Sequence, residues 1–344
     1  MPSGRSHEEY TESLGHSRGL FASDADERRR ATFDRAERIR AARETVTEEK
    51  TGLHRDTSGV YDPKLVKSRI TSPAPGVKRA YVVLIDNSGS NRAIARHLKE
   101  SSGYLAAVLN TLDPESQIAL IYFSDHGDGK RLMQEVDFVH PNEEGDKVIH
   151  STTAHVHDAH GYDPPEAIEC ALWRACEIDF RDADERHLIL VTDVVAHGMG
   201  MHPDDGCTDQ RDWRTSLQRV SDTYTSFKVV GCGSDRRVGH LQEQFIAPER
   251  VAFDLIDLSN IREEYLRQGI TGNAILFLIA RQLGRQGVEL FLSALYEKWL
   301  SEPIFGQDTD RRAREMIQRF SKYLEYPKDE VAEILHKVIP ENVL

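Results

Sequence analysis

The stretch that decides the fold is Tyr81-Val-Val-Leu-Ile-Asp-Asn-Ser-Gly-Ser90, in which an apolar segment runs directly into an acidic turn. The apolar part predicts a buried strand, and the turn presents Asp86, Ser88 and Ser90 in a DxSxS pattern. One carboxylate and two hydroxyls in a tight turn, with Gly89 letting the backbone fold closely, suit a hard divalent cation. This turn is therefore the predicted chemical centre of the chain.

Bulk properties exclude several classes of protein. A length of 344 residues allows one main core with accessory segments. The formal net charge of -13 offers no basic footprint for a phosphate backbone, so nucleic acid is not an expected partner.

The first residues lack the apolar core of a signal peptide, and the most apolar stretch, residues 274–280, is too short to span a bilayer. We expect a cytoplasmic protein without a membrane span.

Four cysteines occur without CxxC spacing, which predicts neither a disulfide framework nor a zinc ribbon. Most of them are expected to be small core residues. They are Cys170, Cys176, Cys207 and Cys232.

Three segments follow one another along the chain. Residues 1–76 form a charged arm, helical or partly disordered, that ends in the helix-breaking sequence TSPAPG. Residues 77–260 alternate between apolar strands and amphipathic helices, and residues 261–344 predict a helical subdomain. The helices of this subdomain are predicted over residues 275–283, 288–300, 311–324 and 329–339.

The middle segment predicts a doubly wound, mostly parallel six-stranded α/β sheet. Continuous apolar runs indicate strands buried on both faces, as in parallel sheets. The third strand is more polar and follows Asp125–Gly129, which is predicted to be a hairpin turn, so we expect one antiparallel edge strand. The strands are predicted at residues 80–85, 117–123, 132–138, 188–192, 227–231 and about 251–257.

Two more acidic turns stand where such a sheet places ligands, at the carboxyl ends of strands. Asp193 follows the apolar run 188–191, and Asp163 lies in Gly-Tyr-Asp-Pro-Pro-Glu-Ala167, at the start of a helix. Helix capping alone is enough to explain Asp163. It does not, however, account for the paired hydroxyls of Ser88 and Ser90.

Taken in order, Asp86-x-Ser88-x-Ser90, Gly-Tyr-Asp-Pro-Pro-Glu-Ala and Val-Thr-Asp193-Val-Val-Ala-His197-Gly resemble a von Willebrand factor A (VWA) domain over about residues 78–258. The resemblance implies a metal-ion-dependent adhesion site (MIDAS) for Mg²⁺, with Mn²⁺ or Ca²⁺ as alternatives. Ser88 and Ser90 would bind the ion directly, and Asp86 and Asp193 would act largely through water. It also implies a protein partner at the metal face, in an adapter or scaffold of a multiprotein assembly.

One position departs from the best-known family pattern, which has a threonine where this chain has Asp163. Thr152 and Thr153 are alternatives, although they lie ten or more residues before the helix. A third acidic side chain would raise affinity for the cation and repel a partner's carboxylate. Asp163 is therefore the favoured fifth residue of the metal site.

Two histidine-containing segments are weaker candidates. His150, His155, His157 and His160 crowd the loop before Asp163; His157 with Asp158 is a possible zinc pair, but a flexible polar loop is expected. A second polar cluster contains His197, His202, Asp204, Asp205 and Cys207. There, His197 is predicted to support the metal shell or shape the loop, and an independent metal is not favoured.

The leading prediction for function is a divalent-cation-dependent protein–protein interaction module that is not an enzyme. The alternative is a metal-dependent phosphoester hydrolase, in which Asp86, Asp163 and Asp193 around Mg²⁺ activate water. The sequence has no evident phosphate-cradling glycine loop and no convincing nucleophilic triad, which disfavours the hydrolase.

Overall fold

The computed structural model describes residues 76–159, 165–180, 182–198, 206–233, 235–245, 252–259, 261, 264–300, 317, 321–322 and 326–338. Apart from Gly76, the predicted arm lies outside these residues, as do His160, Asp163 and most of the predicted helix 311–324.

Six strands form one sheet in the order β3-β2-β1-β4-β5-β6. Neighbouring strands are parallel except β2 and β3, which pair antiparallel at one edge. This confirms the predicted doubly wound α/β fold with one antiparallel edge strand. The strands are β1 Arg79–Asp86, β2 Gln117–Phe123, β3 Met133–Val139, β4 Glu185–Thr192, β5 Ser226–Gly231 and β6 Ala252–Asp257.

Helices cover both faces of the sheet, which explains why its central strands are apolar throughout. Successive residues of β1 point to opposite layers: Tyr81, Val83 and Ile85 join one core cluster, whereas Val82 and Leu84 join the other. The helices of the first layer are α1 Arg92–Glu100, α2 Ser102–Leu112, α3 Glu143–Thr153, α7 Glu264–Gln282, α8 Gly284–Leu300 and α9 Lys328–Val338. Those of the second layer are α4 Ile168–Ala175, α5 Trp213–Thr223 and α6 Asp235–Gln244.

The connection between β2 and β3 spans the segment of the predicted hairpin turn. A 3-10 helix spans His126–Arg131, with Gly129 at a φ of 57°. The Oδ1 atom of Asp125 accepts a 2.7 Å hydrogen bond from the His126 amide and so starts this helix. The predicted hairpin turn therefore includes a 3-10 helix, and the antiparallel pairing of the two strands that it connects is present.

Helix α7 packs against helices α1 and α2 and against strand β5, and helix α8 packs against α7 and α2. Helix α7 ends at Gln282, and Gly284, at a φ of 78°, is the first residue of α8. Helix α8 therefore begins earlier than predicted. A Cβ atom on Gly287 of α8 would overlap the carbonyl oxygen of Ala280 in α7.

The domain boundary at residue 260 stays a prediction. Within the described ranges, no helix is both long and apolar enough to cross a membrane.

Candidate metal centre

Asp86 is the last residue of β1 and its carboxylate is fully buried. Its Oδ1 atom accepts a hydrogen bond from the Ser88 amide, and its Oδ2 atom accepts one from Thr192 Oγ1, both at 2.9 Å. The Asn91 side chain donates to the Asp86 carbonyl at 2.7 Å and closes the turn. Local bonds and the neighbouring strand β4 therefore fix the carboxylate in one orientation.

The other predicted residues of the DxSxS turn meet Asp193 at the end of β4. Ser90 Oγ donates to Asp193 Oδ1 at 3.0 Å, and the hydroxyl oxygens of Ser88 and Ser90 lie 3.4 Å apart. Arg237 Nη1 donates to the second oxygen of Asp193 at 2.9 Å. Asp86, Ser88, Ser90 and Asp193 are thus brought together where β1 and β4 lie side by side, at the switch point of the sheet.

The structure does not describe Asp163, so its assignment to the site stays a prediction. Of the two alternative threonines, both in α3, Thr153 donates its hydroxyl to the carbonyl of His150 at 3.2 Å. That hydroxyl is therefore engaged within its own helix.

Glu166 is a residue of this site that the sequence reasoning missed, although the quoted motif contains it. A main-chain bridge to Ala196 and a 3.2 Å bond from its amide to the Val195 carbonyl hold Glu166 beside the loop after β4. Glu166 is 3% exposed, and its Oε2 atom has no hydrogen-bond partner among the residues that the structure describes. A buried carboxylate oxygen without a partner calls for a compensating group.

The raised pKa values of two carboxylates show that acidic groups are crowded together at this site. Burial, and next the Asp193 carboxylate, raise the pKa of Asp86 to about 7. Burial, then Asp86 and Asp125, raise the pKa of Glu166 to about 10. Several carboxylates thus share one buried region, and a divalent cation would stabilise their charged forms.

The donor set fits such an ion. Carboxylate and hydroxyl oxygens are ligands that Mg²⁺ accepts, and Mg²⁺ commonly keeps several waters of its own. Ser90 is exposed while Asp86 and Ser88 are buried, so the cluster opens to solvent on one side.

His197 lies behind this cluster, between two carboxylates. Its Nε2 atom is 3.3 Å from Asp125 Oδ1, and its Nδ1 atom is 3.2 Å from Glu169 Oε1. Burial opposes a charge on the ring, but both carboxylates outweigh it and raise the pKa of His197 to about 10. Burial also opposes the charge on Glu169, but hydrogen bonds from His126 and His197 outweigh it and lower its pKa to about 2. The predicted loop-shaping role of His197 agrees with these contacts.

The histidine-containing loop forms hydrogen bonds with its neighbours over residues 154–159, and its expected flexibility stays a prediction. Gln134 exchanges two bonds with the main chain of His157, at 2.9 and 2.8 Å, and Asn87 donates to the same carbonyl at 2.9 Å. Asp158 pairs with Arg96 at 3.1 Å and Lys99 at 3.4 Å. Asp158, which the sequence leaves as a possible but disfavoured zinc partner of His157, is therefore engaged by two cations. Asn87 links the loop directly to the DxSxS turn.

The sheet order, with its antiparallel edge strand, is that of a doubly wound α/β fold. No family model and no curated protein matches the chain. Solved structures resemble it at low similarity. One is the von Willebrand factor type A protein from Catenulispora acidiphila, with 16% identity and a TM-score of 0.41 over 60% of this chain and 43% of that one.

Two further likenesses are the pilus adhesin SpaC from Lactobacillus rhamnosus GG and the SpRpn10 VWA domain. The open conformation of SpaC has 14% identity and a TM-score of 0.41 over 64% of this chain and 31% of that one. The SpRpn10 domain has 9% identity and a TM-score of 0.36 over 56% of this chain and 94% of that one. The chain therefore spans less than half of the Catenulispora and Lactobacillus proteins, and the assignment of its fold rests on its own sheet.

Proposed function

We propose that this chain is a divalent-cation-dependent protein-interaction module, with Mg²⁺ held in a MIDAS-type site. The observation that carries the proposal is the buried Oε2 atom of Glu166, which lies beside Asp86 and Asp193 and has no partner within the described ranges. Burying several carboxylates together is unfavourable unless a cation compensates them.

In this proposal Ser88 and Ser90 supply hydroxyl ligands, while Asp86 and Asp193 hold and orient the shell around the ion. Glu166 accepts hydrogen bonds from that shell, which would satisfy its free oxygen. Asp163 completes the acidic set. The bound cation offers an open position to an oxygen of a partner.

Arg237 favours an acidic partner. Its side chain is 40% exposed and pairs with Asp193, so it brings a positive charge to the rim of the cluster. That charge offsets part of the repulsion between the acidic cluster and an approaching carboxylate. We therefore propose that the partner is a protein that presents an Asp or Glu side chain.

The test compares the wild type with Asp86→Ala by Mg²⁺ titration calorimetry and by pull-down with and without EDTA, with captured proteins identified by mass spectrometry. We expect the substitution to weaken Mg²⁺ affinity by at least about 10-fold and to abolish EDTA-sensitive capture. Asp222→Ala, on the exposed face of α5, is the matched control and should behave as the wild type.

Equal Mg²⁺ affinity in the wild type and Asp86→Ala would contradict the proposed site. The hydrolase alternative has its own assay. Turnover of p-nitrophenyl phosphate by the wild type that disappears in Asp86→Ala would favour the hydrolase over an interaction module.

A further inference from the structure

A second cluster of metal-binding side chains lies next to His197 and is chemically distinct from the first. The sulfurs of Cys170 and Cys207 are 3.5 Å apart, and the Cys170 sulfur is 3.9 Å from His126 Nε2. That ring nitrogen is 3.2 Å from Glu169 Oε1. All four ligand atoms lie within 4.8 Å of one another.

These separations are close to those of a tetrahedral zinc site. With Zn–S bonds of about 2.3 Å and Zn–N or Zn–O bonds of about 2.0–2.2 Å, neighbouring ligand atoms are about 3.3–3.8 Å apart. The separations of 3.5, 3.9 and 3.2 Å differ from those of the corresponding zinc-bound pairs by roughly 0.2–0.4 Å, a shift that small side-chain movements supply. We propose that His126, Glu169, Cys170 and Cys207 bind one Zn²⁺ ion.

The ligand chemistry favours zinc over the cation of the first site. Two sulfurs and an imidazole suit a borderline-soft metal, whereas Asp86, Ser88 and their neighbours offer only oxygen. Four protein ligands would close the coordination sphere, which is typical of structural zinc sites. Burial agrees, because Glu169 and Cys170 are both 1% exposed or less.

Groups around the cluster hold the ligands in place. Glu169 makes two contacts with His197. Its Oε1 atom lies 3.2 Å from Nδ1 of the ring, and its Oε2 atom accepts a 3.3 Å hydrogen bond from the His197 main-chain amide. Such outer contacts orient a ligating carboxylate. Cys207 belongs to a turn in which the Gln210 amide donates to the Cys207 carbonyl at 2.9 Å, with Gln210 at a φ of 56°.

The ion would fasten the turn at residues 207–210 to helix α4, which carries Glu169 and Cys170. The ion would also fix Glu169, whose carboxylate contacts the His197 ring. The same ring contacts Asp125, which lies beside the first cluster. Zinc would therefore act as a structural support behind the proposed Mg²⁺ site. This inference does not depend on the function proposed above.

The test uses the full chain, freed of metal by chelation and kept reduced with a phosphine, and titrated with Co²⁺ as a spectroscopic probe. We expect one equivalent of Co²⁺ to give sulfur-to-cobalt charge-transfer absorption and the visible bands of a tetrahedral ion, both removed by one equivalent of Zn²⁺. Cys170→Ser and Cys207→Ser should lose the charge-transfer absorption or most of its intensity.

Two controls separate this site from its surroundings. Cys176→Ser should keep the full spectrum, because Cys176 is a half-buried cysteine outside the cluster. Asp86→Ala should also keep it, because that residue belongs to the other site. Circular dichroism checks folding, and if buried Cys170→Ser fails to fold, the less buried Cys207→Ser decides.

Two results would overturn the proposal. One is the absence of sulfur-to-cobalt absorption in the reduced wild type. The other is a Cys170–Cys207 disulfide in protein alkylated at the moment of cell lysis, since the two thiols would then serve as a redox pair.

Discussion

At the scale of single residues, Gly233 controls the position of Asp193. It follows β5, and a Cβ atom built on it would overlap the main-chain oxygen of Asp193 and approach Arg237 Cβ at 3.1 Å. The main chain of Asp193 and the side chain of Arg237, both in the candidate metal centre, therefore pack closely against Gly233. A side chain at this position has to displace the loop that carries the Asp193 carboxylate.

Gly233→Ala is expected to destabilise the protein by about 1–3 kcal/mol, as overpacking typically does. It should also weaken Mg²⁺ affinity, measured by calorimetry, because Asp193 moves. Gly239→Ala is the matched control, since a Cβ atom at that position in helix α6 has no described neighbour within 4 Å. The control should be neutral or stabilising by up to about 1 kcal/mol. Identical Mg²⁺ affinities in Gly233→Ala and Gly239→Ala would show that the close approach does not matter for the site.

The residues that could be predicted from the sequence are those fixed by local structure. Asp86, Ser88 and Ser90 share one turn, and Asp193 meets them because parallel strands end at the same edge of a sheet. Glu166 could not be placed in this way, because its position depends on contacts with Val195 and Ala196, about 30 residues away in the chain. The pairing of Cys170 with Cys207 likewise depends on tertiary packing and follows no recognised spacing.

At the scale of elements, the strands could be predicted closely because each central strand is apolar on both faces. The 3-10 helix at His126–Arg131 was not predicted, although the bond that starts it, from the His126 amide to the adjacent Asp125 carboxylate, is local. The sequence predicts only a hairpin turn there. The sequence of that segment, rich in glycine and aspartate, is equally compatible with either structure.

His187 of β4 is a buried polar residue at the amino-terminal edge of the sheet, opposite the metal centre. It contacts one residue of β1 and one of β5. The His187 ring stacks on Tyr81 at a centroid distance of 5.1 Å, and its Nδ1 atom lies 2.8 Å from Ser226 Oγ. Burial lowers the pKa of His187 below its ordinary value of 6.5. The folded protein therefore keeps this ring neutral where the unfolded chain is already protonated.

This difference makes stability depend on pH. As pH falls through about 6.5, the unfolded state takes up protons at His187 more readily than the folded state, so the free energy of unfolding should fall as pH decreases. His187→Asn keeps a donor for Ser226 but removes the titrating ring. We expect the variant to be less stable than the wild type at pH 7.5 and to lose less stability between pH 7 and pH 5.5. Urea unfolding across that range measures both, and parallel pH profiles would exclude His187 as the source.

At the scale of the whole molecule, the C-terminal helices and the sheet share one hydrophobic core. The apolar residues of α7 belong to the same cluster as Tyr81 and Val83 of β1. Phe277 of α7 is 1% exposed, and its ring packs against Phe291 at 5.9 Å and Tyr326 at 5.6 Å. Shared packing of this kind predicts that helix α7 and the sheet unfold together, whatever boundary the sequence suggests at residue 260.

Phe277→Ala tests this cooperativity. Removing a buried phenylalanine is expected to cost about 3–5 kcal/mol, because it leaves a cavity in the shared core. Hydrogen exchange followed by mass spectrometry should show the slowest amides of β1 and of α7 both accelerating, by roughly 100-fold or more. Val148→Ala is the control, because Val148 is 42% exposed and its truncation should stay within about 0.5 kcal/mol. Acceleration confined to α7, α8 and α9, with β1 unchanged, would mean that the helical segment unfolds as a separate subdomain on a stable sheet.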